Sequence, residues 1–174
     1  MVWFGHILHT LKLGDKVMWK KIKPYVISIA IALGVGALSA LVTRDGMQEF
    51  QNVIQPPLSP PPWLFPIVWT ILFTLMGIGA AMVYETGKGQ GGATAELIIY
   101  AFSLAINFFW TIIFFNMQDY LFAFIWLIVL LLAVIYTAYR FYKVNKTAGL
   151  LQIPYILWLM FALYLNYMIW TLNT

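Results

Sequence analysis

The stretch YLFAFIWLIVLLLAVIYTAY, residues 120–139, decides the fold. No charged side chain interrupts it. An α-helix rises about 1.5 Å per residue, so this stretch reaches roughly the 30 Å of a bilayer's hydrocarbon core. A central Asp, Lys or Arg costs about 2.5–3.5 kcal/mol on insertion scales, which makes the absence of charge a signal. Working outward, four more charge-free windows appear: Pro24 to Thr43, Phe50 to Tyr84, Leu97 to Gln118 and Thr147 to Thr174. Composition agrees with five spans. Hydrophobic residues make up 63% of the chain and charged residues 9%, whereas a soluble domain carries about a quarter charged residues. The expected fold is an all-α integral membrane protein, a bundle of five transmembrane helices near residues 25–43, 62–84, 96–115, 119–142 and 149–171. The window from Phe50 contains PPLSPPPWLFP, residues 56–66. Proline is tolerated in a first helical turn, so the second helix is expected to begin near Pro62, behind a proline-rich connection.

The basic residues set the orientation. With five spans, one side of the membrane receives Lys12, Lys16, Lys20, Lys21, Lys23, Lys88, Arg140, Lys143 and Lys146; the other receives Arg44 alone. Basic loops stay inside, which puts the N-terminus in the cytoplasm and the C-terminus and first loop outside a cell membrane. The net charge of +4 is thereby explained by the lipid bilayer and calls for no nucleic acid. Residues 1–23 form a basic extension ahead of a membrane domain spanning 24–174. They lack the charged start and cleavage site of a secretory signal. Trp3, Phe4, Ile7, Leu8 and Leu11 recur at helical spacing, as in a helix lying on the cytoplasmic lipid surface. His6 and His9 have no carboxylate or third ligand nearby, so no metal site is expected. Cysteine is absent, which removes disulfides and thiolate chemistry. GKGQGG, residues 87–92, lacks the spacing and context of a phosphate loop and reads as a linker.

Few strongly polar side chains occupy the spans. Ser103 and Asn107 lie four apart on the third helix, and Trp110 and Phe114 continue that stripe. On the fifth helix Trp158, Ala162 and Leu165 share a face, with Asn166 and Tyr167 a turn further on. Trp69 lies two turns inside the second helix, while Trp63 and Trp170 suit the interfacial belt. An intramembrane asparagine commonly serves helix packing. Aromatic walls with one or two amides also suit a large, flat, mostly apolar ligand. Both readings stand for Asn107 and Asn166 at this stage. Ala32, Gly36 and Ala40, and Gly77 and Ala81, recur every four residues as faces for close helix approach, within one bundle or between two.

These residues carry a resemblance. PPLSPPPWLFPIVWTILFTLMG (56–77), INFFWTIIFF (106–115) and PYILWLMFALYLNYMIWTLN (154–173) are similar, in order, to three motifs of the TspO/MBR family, the translocator and tryptophan-rich sensory proteins. The resemblance covers about residues 25 to 173. It implies a five-helix bundle, often a homodimer, that binds porphyrins, sterols and aromatic compounds in a pocket beneath the first loop. The proline run then becomes a stiff lid. Carried over by motif, the pocket involves Phe50, Pro60, Trp69, Asn107, Trp110, Trp158 and Ala162, with Asn107 and Trp158 facing one cavity. The implied ligand is a tetrapyrrole such as protoporphyrin IX or a haem-like molecule. No covalent cofactor and no metal are implied.

The chain departs from the family pattern in places. The aromatic pair before the prolines reads Glu49-Phe50, Leu58 stands where a Trp is usual, and Trp126 aligns with a carboxylate of the fourth helix. No basic residue follows Tyr167, which discounts a sterol motif. Three function classes follow: a porphyrin-binding receptor or sensor, which is the leading reading; a transporter of such ligands; and an enzyme that degrades porphyrin in light. No membrane-embedded ionisable residue is available to couple protons. No acid–base pair or nucleophile–base set accompanies the Trp residues, so no catalytic residue is assigned.

Overall fold

The computed structural model describes residues 2–89 and 91–174, with side chains from Met18 onward except Gln90. Its elements are α1 (Val2–Val42), α2 (Arg44–Glu49), a 3₁₀ turn (Phe50–Asn52), α3 (Leu64–Gly87), α4 (Thr94–Thr111) continued by a π turn (Ile112–Asn116), α5 (Tyr120–Val144), α6 (Lys146–Leu150) and α7 (Ile153–Asn173). Five helical stretches are long and apolar enough to cross a membrane: Met18–Val42, Leu64–Gly87, Thr94–Asn116, Tyr120–Val144 and Lys146–Asn173. The described residues contain no strand. The protein is therefore a multi-pass, all-α membrane protein, as the charge-free windows indicate.

Boundaries differ where local chemistry intervenes. The first helix does not start near residue 25, because α1 runs on through Pro24 without a break. The faces of the N-terminal extension, including His6 and His9, lie outside the described side chains. The third span ends in a π turn rather than an α-helix, closed by the Met117 N–H donating to the Ile112 carbonyl at 3.0 Å. The fifth span is divided by a turn at Leu151–Gln152 into α6 and α7. Polar side chains mark two of the starts. The Asp119 carboxylate accepts from the Phe122 N–H at 3.0 Å to open α5, and the Asn145 amide oxygen accepts from the Ala148 N–H at 3.1 Å to open α6.

Packing follows from small residues. A Cβ on Gly77 of α3 would stand 2.6 Å from the Ile29 Cα of α1, and one on Gly36 would stand 2.5 Å from the Phe73 ring. Ala32 is buried beside them. The small residues Ala32, Gly36 and Gly77 thus bring α1 onto α3 within one chain. On the other side α4 lies on α5, joined by the Trp126 indole donating to the Ile106 carbonyl at 2.9 Å and by an Arg140–Glu96 ion pair. Helix α5 also packs on α7, with the Phe124 and Tyr167 rings 5.8 Å apart. The buried core runs along the bundle through Leu72, Met76, Leu104, Leu127, Leu130, Val134 and Leu159. Outward-facing Ile67, Phe102, Leu132 and Leu157 are at least half exposed, the arrangement a lipid solvent requires.

Candidate functional site

Aromatic rings form a continuous path through the bundle. Phe50, in the 3₁₀ turn, meets Phe114 at 5.1 Å and Phe115 at 5.4 Å. Phe114 stacks on Trp110 at 5.4 Å, and Trp110 lies 6.5 Å from Trp69. Trp69 then meets Tyr155 of α7 at 6.0 Å and Phe73 at 5.5 Å. The π turn matters here, because it carries Phe114 and Phe115 at the end of α4 and lets both face Phe50. π turns recur at functional sites.

Polar atoms accompany these rings. The Trp110 indole N–H points to the Asn166 Oδ1 at 3.4 Å, and the Asn166 Nδ2 donates to the Ala162 carbonyl at 3.0 Å. Trp110, Asn166 and Ala162 are thereby joined. Ser103 is buried, with its hydroxyl donating to the Tyr100 carbonyl of its own helix at 2.7 Å. Asn107 is different. It is 1% exposed, and its Oδ1 has no hydrogen-bond partner in the protein. The hydroxyls of Tyr120 and Tyr155, which end on the aromatic path, also lack partners. An unpaired buried polar group costs about 1–3 kcal/mol; among the described residues Ser39, Tyr100 and Gln152 also carry such an atom, outside this path.

The seven residues expected from the sequence divide. Phe50, Trp69 and Trp110 lie on the single aromatic path, Ala162 joins it through Asn166, and Asn107 sits one turn before Trp110 on α4. Trp158 is half-buried in a neighbouring group, its ring 5.9 Å from Phe65 and 5.7 Å from Phe161. Pro60 is half-buried in the connection before α3. Asn166 and Tyr155 were not among the expected site residues. Asn166 stood out as a polar residue in an apolar helix, and Tyr155 lies in the quoted Pro-Tyr motif, so a signal existed for each. Of the departures, Leu58 is 63% exposed, while the Trp126 indole holds α5 to α4. Trp63 is exposed and Trp170 half-buried, its ring 5.9 Å from Tyr167.

A cavity of about 310 Å³ lies elsewhere, at the far end of α3, lined by Tyr84, Lys88, Gly92, Ala93, Leu97 and Ala101. None of the seven expected residues lines it. Its lysine is already engaged, bonded to Glu85 at 2.7 Å and set over the Tyr84 ring. The unpaired Asn107, Tyr120 and Tyr155 atoms and two tryptophans, Trp69 and Trp110, lie on or beside the aromatic path instead, and that path is the better candidate for a site.

Fold and site together define a multi-pass helical membrane protein with an aromatic, sparsely polar interior and a proline-stiffened connection between its first two spans. The TspO/MBR family model matches residues 28–171, and the chain belongs to that family. It is 36% identical to the tryptophan-rich protein TspO of Chlorobaculum tepidum, over 90% of this chain and 99% of that protein. It is 35% identical to the protein CrtK of Rhodobacter capsulatus, over 86% and 90% of the two chains. The human translocator protein is 32% identical over 84% of this chain and 87% of its own.

Proposed function

We propose that this protein is a membrane receptor or sensor that binds a flat, mostly apolar tetrapyrrole, such as protoporphyrin IX, within the bundle beneath the proline-rich connection. The observation that carries the reading is the unpaired Asn107 carbonyl one turn from Trp110, on a path with Trp69 and the unpaired Tyr155 hydroxyl. Rings offer faces for a macrocycle, and the polar atoms offer a hydrogen bond to its pyrrole N–H or side-chain groups. Membership of a family whose relatives are named sensory and translocator proteins supports the same reading. Phe50, Pro60, Trp69, Asn107, Trp110, Trp158 and Ala162 remain the assigned contacts, with Tyr155 and Asn166 added. The N-terminus lies in the cytoplasm, and two copies form a homodimer. Ala32, Gly36 and Gly77 are engaged inside one chain, while Ala40 of α1 faces outward.

The test is purified protein titrated with protoporphyrin IX in darkness and in light, following tryptophan fluorescence and the porphyrin absorption spectrum. Saturable quenching with an unchanged spectrum supports a receptor. Conversion of the spectrum in light, lost in Trp110→Phe, replaces the receptor with a photo-oxidative enzyme. Absence of saturable quenching overturns the proposal.

A further inference from the structure

The segment from Val53 to Trp63 joins the 3₁₀ turn to α3 and is poor in backbone donors, because Pro56, Pro57, Pro60, Pro61 and Pro62 have no N–H. Most of its hydrogen bonds close on itself and its immediate flanks. The Ser59 N–H donates to the Pro56 carbonyl at 3.0 Å, and the Leu64 N–H to the Pro61 carbonyl at 2.9 Å. The Ser59 hydroxyl donates to Gln55 Oε1 at 3.2 Å, and Gln55 Nε2 reaches the Phe50 and Val53 carbonyls at 3.3 Å each. Such bonds shape the segment without fastening it down.

Ile54 is the exception. Its N–H donates to Asn173 Oδ1 at 2.9 Å, and its carbonyl accepts from Asn173 Nδ2 at 3.1 Å. The side-chain amide pairs with a peptide group as a neighbouring strand would. A third contact, Nδ2 to the Ile169 carbonyl at 2.8 Å, holds the amide against the last turns of α7. Among the described residues, these two bonds to Ile54 are the only hydrogen bonds that tie residues 53–63 to a helix beyond the two that flank the segment. The Ile54–Asn173 pair is solvent-exposed, so water can replace each bond at modest cost. A reversible fastening needs that property. The prolines restrict φ, so the segment beyond Ile54 moves as a stiff piece once it is released.

We propose that Asn173 is a latch that holds the proline-rich segment closed and sets how fast the bound ligand exchanges. The latch itself stands on the geometry above; its effect on ligand exchange rests on the proposed tetrapyrrole reading. Asn173→Ala removes both bonds. Asn173→Asp keeps an acceptor for the Ile54 N–H but sets a carboxylate oxygen against the Ile54 and Ile169 carbonyls, so it releases the segment at least as fully. Two neutral, solvent-exposed hydrogen bonds near the lower end of their net strength, about 0.7 kcal/mol each, shift an opening equilibrium by about tenfold.

The experiment measures amide hydrogen exchange across residues 50–64 in the full chain in detergent. The dissociation rate of protoporphyrin IX is followed on the same samples. Exchange at Ile54 is expected to rise about tenfold in Asn173→Ala and at least as much in Asn173→Asp, with α4 and α5 unchanged and porphyrin dissociation accelerating in the same order. Unchanged exchange at Ile54 overturns the latch. Faster exchange with unaltered dissociation of bound porphyrin overturns its role in ligand exchange. If the parent protein binds no porphyrin, the tetrapyrrole reading fails and the latch is judged by the exchange order alone.

Discussion

Replacing Asn107 by Leu separates a ligand-binding role from a packing role. Asn107 is buried, and its Oδ1 lacks a partner in the protein. Holding that oxygen away from water and from any donor costs about 1–3 kcal/mol. Leucine has the same branched heavy-atom skeleton, with bulkier methyl ends, and carries no polar atom, so the substitution removes the penalty while keeping most of the packing. Ligand-free stability should hold or rise by about 1 kcal/mol, which for a chain of this size is about 2–4 °C in Tm. Ligand affinity should move the other way. Losing one hydrogen bond to a neutral ligand costs about 0.5–1.5 kcal/mol, or about two- to thirteenfold in Kd. The upper end is expected, because the ligand's donor is then left unpaired. Both quantities come from one preparation, by thermal unfolding in detergent and by protoporphyrin IX quenching of tryptophan fluorescence. A Tm that falls by several degrees, with affinity per folded molecule intact, would refute the reasoning and return Asn107 to packing.

Three further outcomes are expected. Gly77→Ala should lower Tm by several degrees, because its Cβ meets the Ile29 backbone at 2.6 Å and overpacking typically costs about 1–3 kcal/mol; Gly34→Ala, with nothing within 4 Å, should leave Tm unchanged or raise it in the same unfolding assay. Trp110→Ala should weaken porphyrin binding more than Trp158→Ala in quenching titrations, since Trp110 stacks on the path through Phe114 and Trp69 while Trp158 lies beside Phe65 and Phe161. A reporter active only outside the cytoplasm, fused after Thr174, should be active; activity only of a cytoplasmic reporter there would reverse the orientation drawn from Lys and Arg.

The five spans were legible because charge is so costly in hydrocarbon that its absence marks a helix almost by itself. Their ends were less legible, since local contacts set them. Nothing in IIFFN announces a π turn, and its register depends on where Phe114 and Phe115 meet Phe50. The spacing of Asn107 and Trp110 on α4 could be read as one stripe, and the structure keeps it. The face shared by Trp158 and Ala162 was equally readable. Of the rings that meet Trp158, Phe161 lies three residues on along α7 and was readable from spacing, whereas Phe65 comes from α3 and was not. The same limit hid Asn173, whose partner Ile54 is 119 residues away. Small residues spaced by four on α1 and α3 fitted either one chain or two, and only the contacts of Gly77 with Ile29 and of Gly36 with Phe73 place those two inside one.

The π turn at the end of α4 has a consequence for chain length. Its closing bond runs from Met117 back five residues to Ile112, where an α-turn would reach back four. The turn therefore stores one residue more than an α-helix needs at that point. Losing that residue would let the helix tighten into an ordinary turn with Trp110 and the start of α5 left where they are, at the expense of the two-ring approach to Phe50. The third span thus carries its tolerance to a change in length at the one place where that change would be felt by the aromatic path.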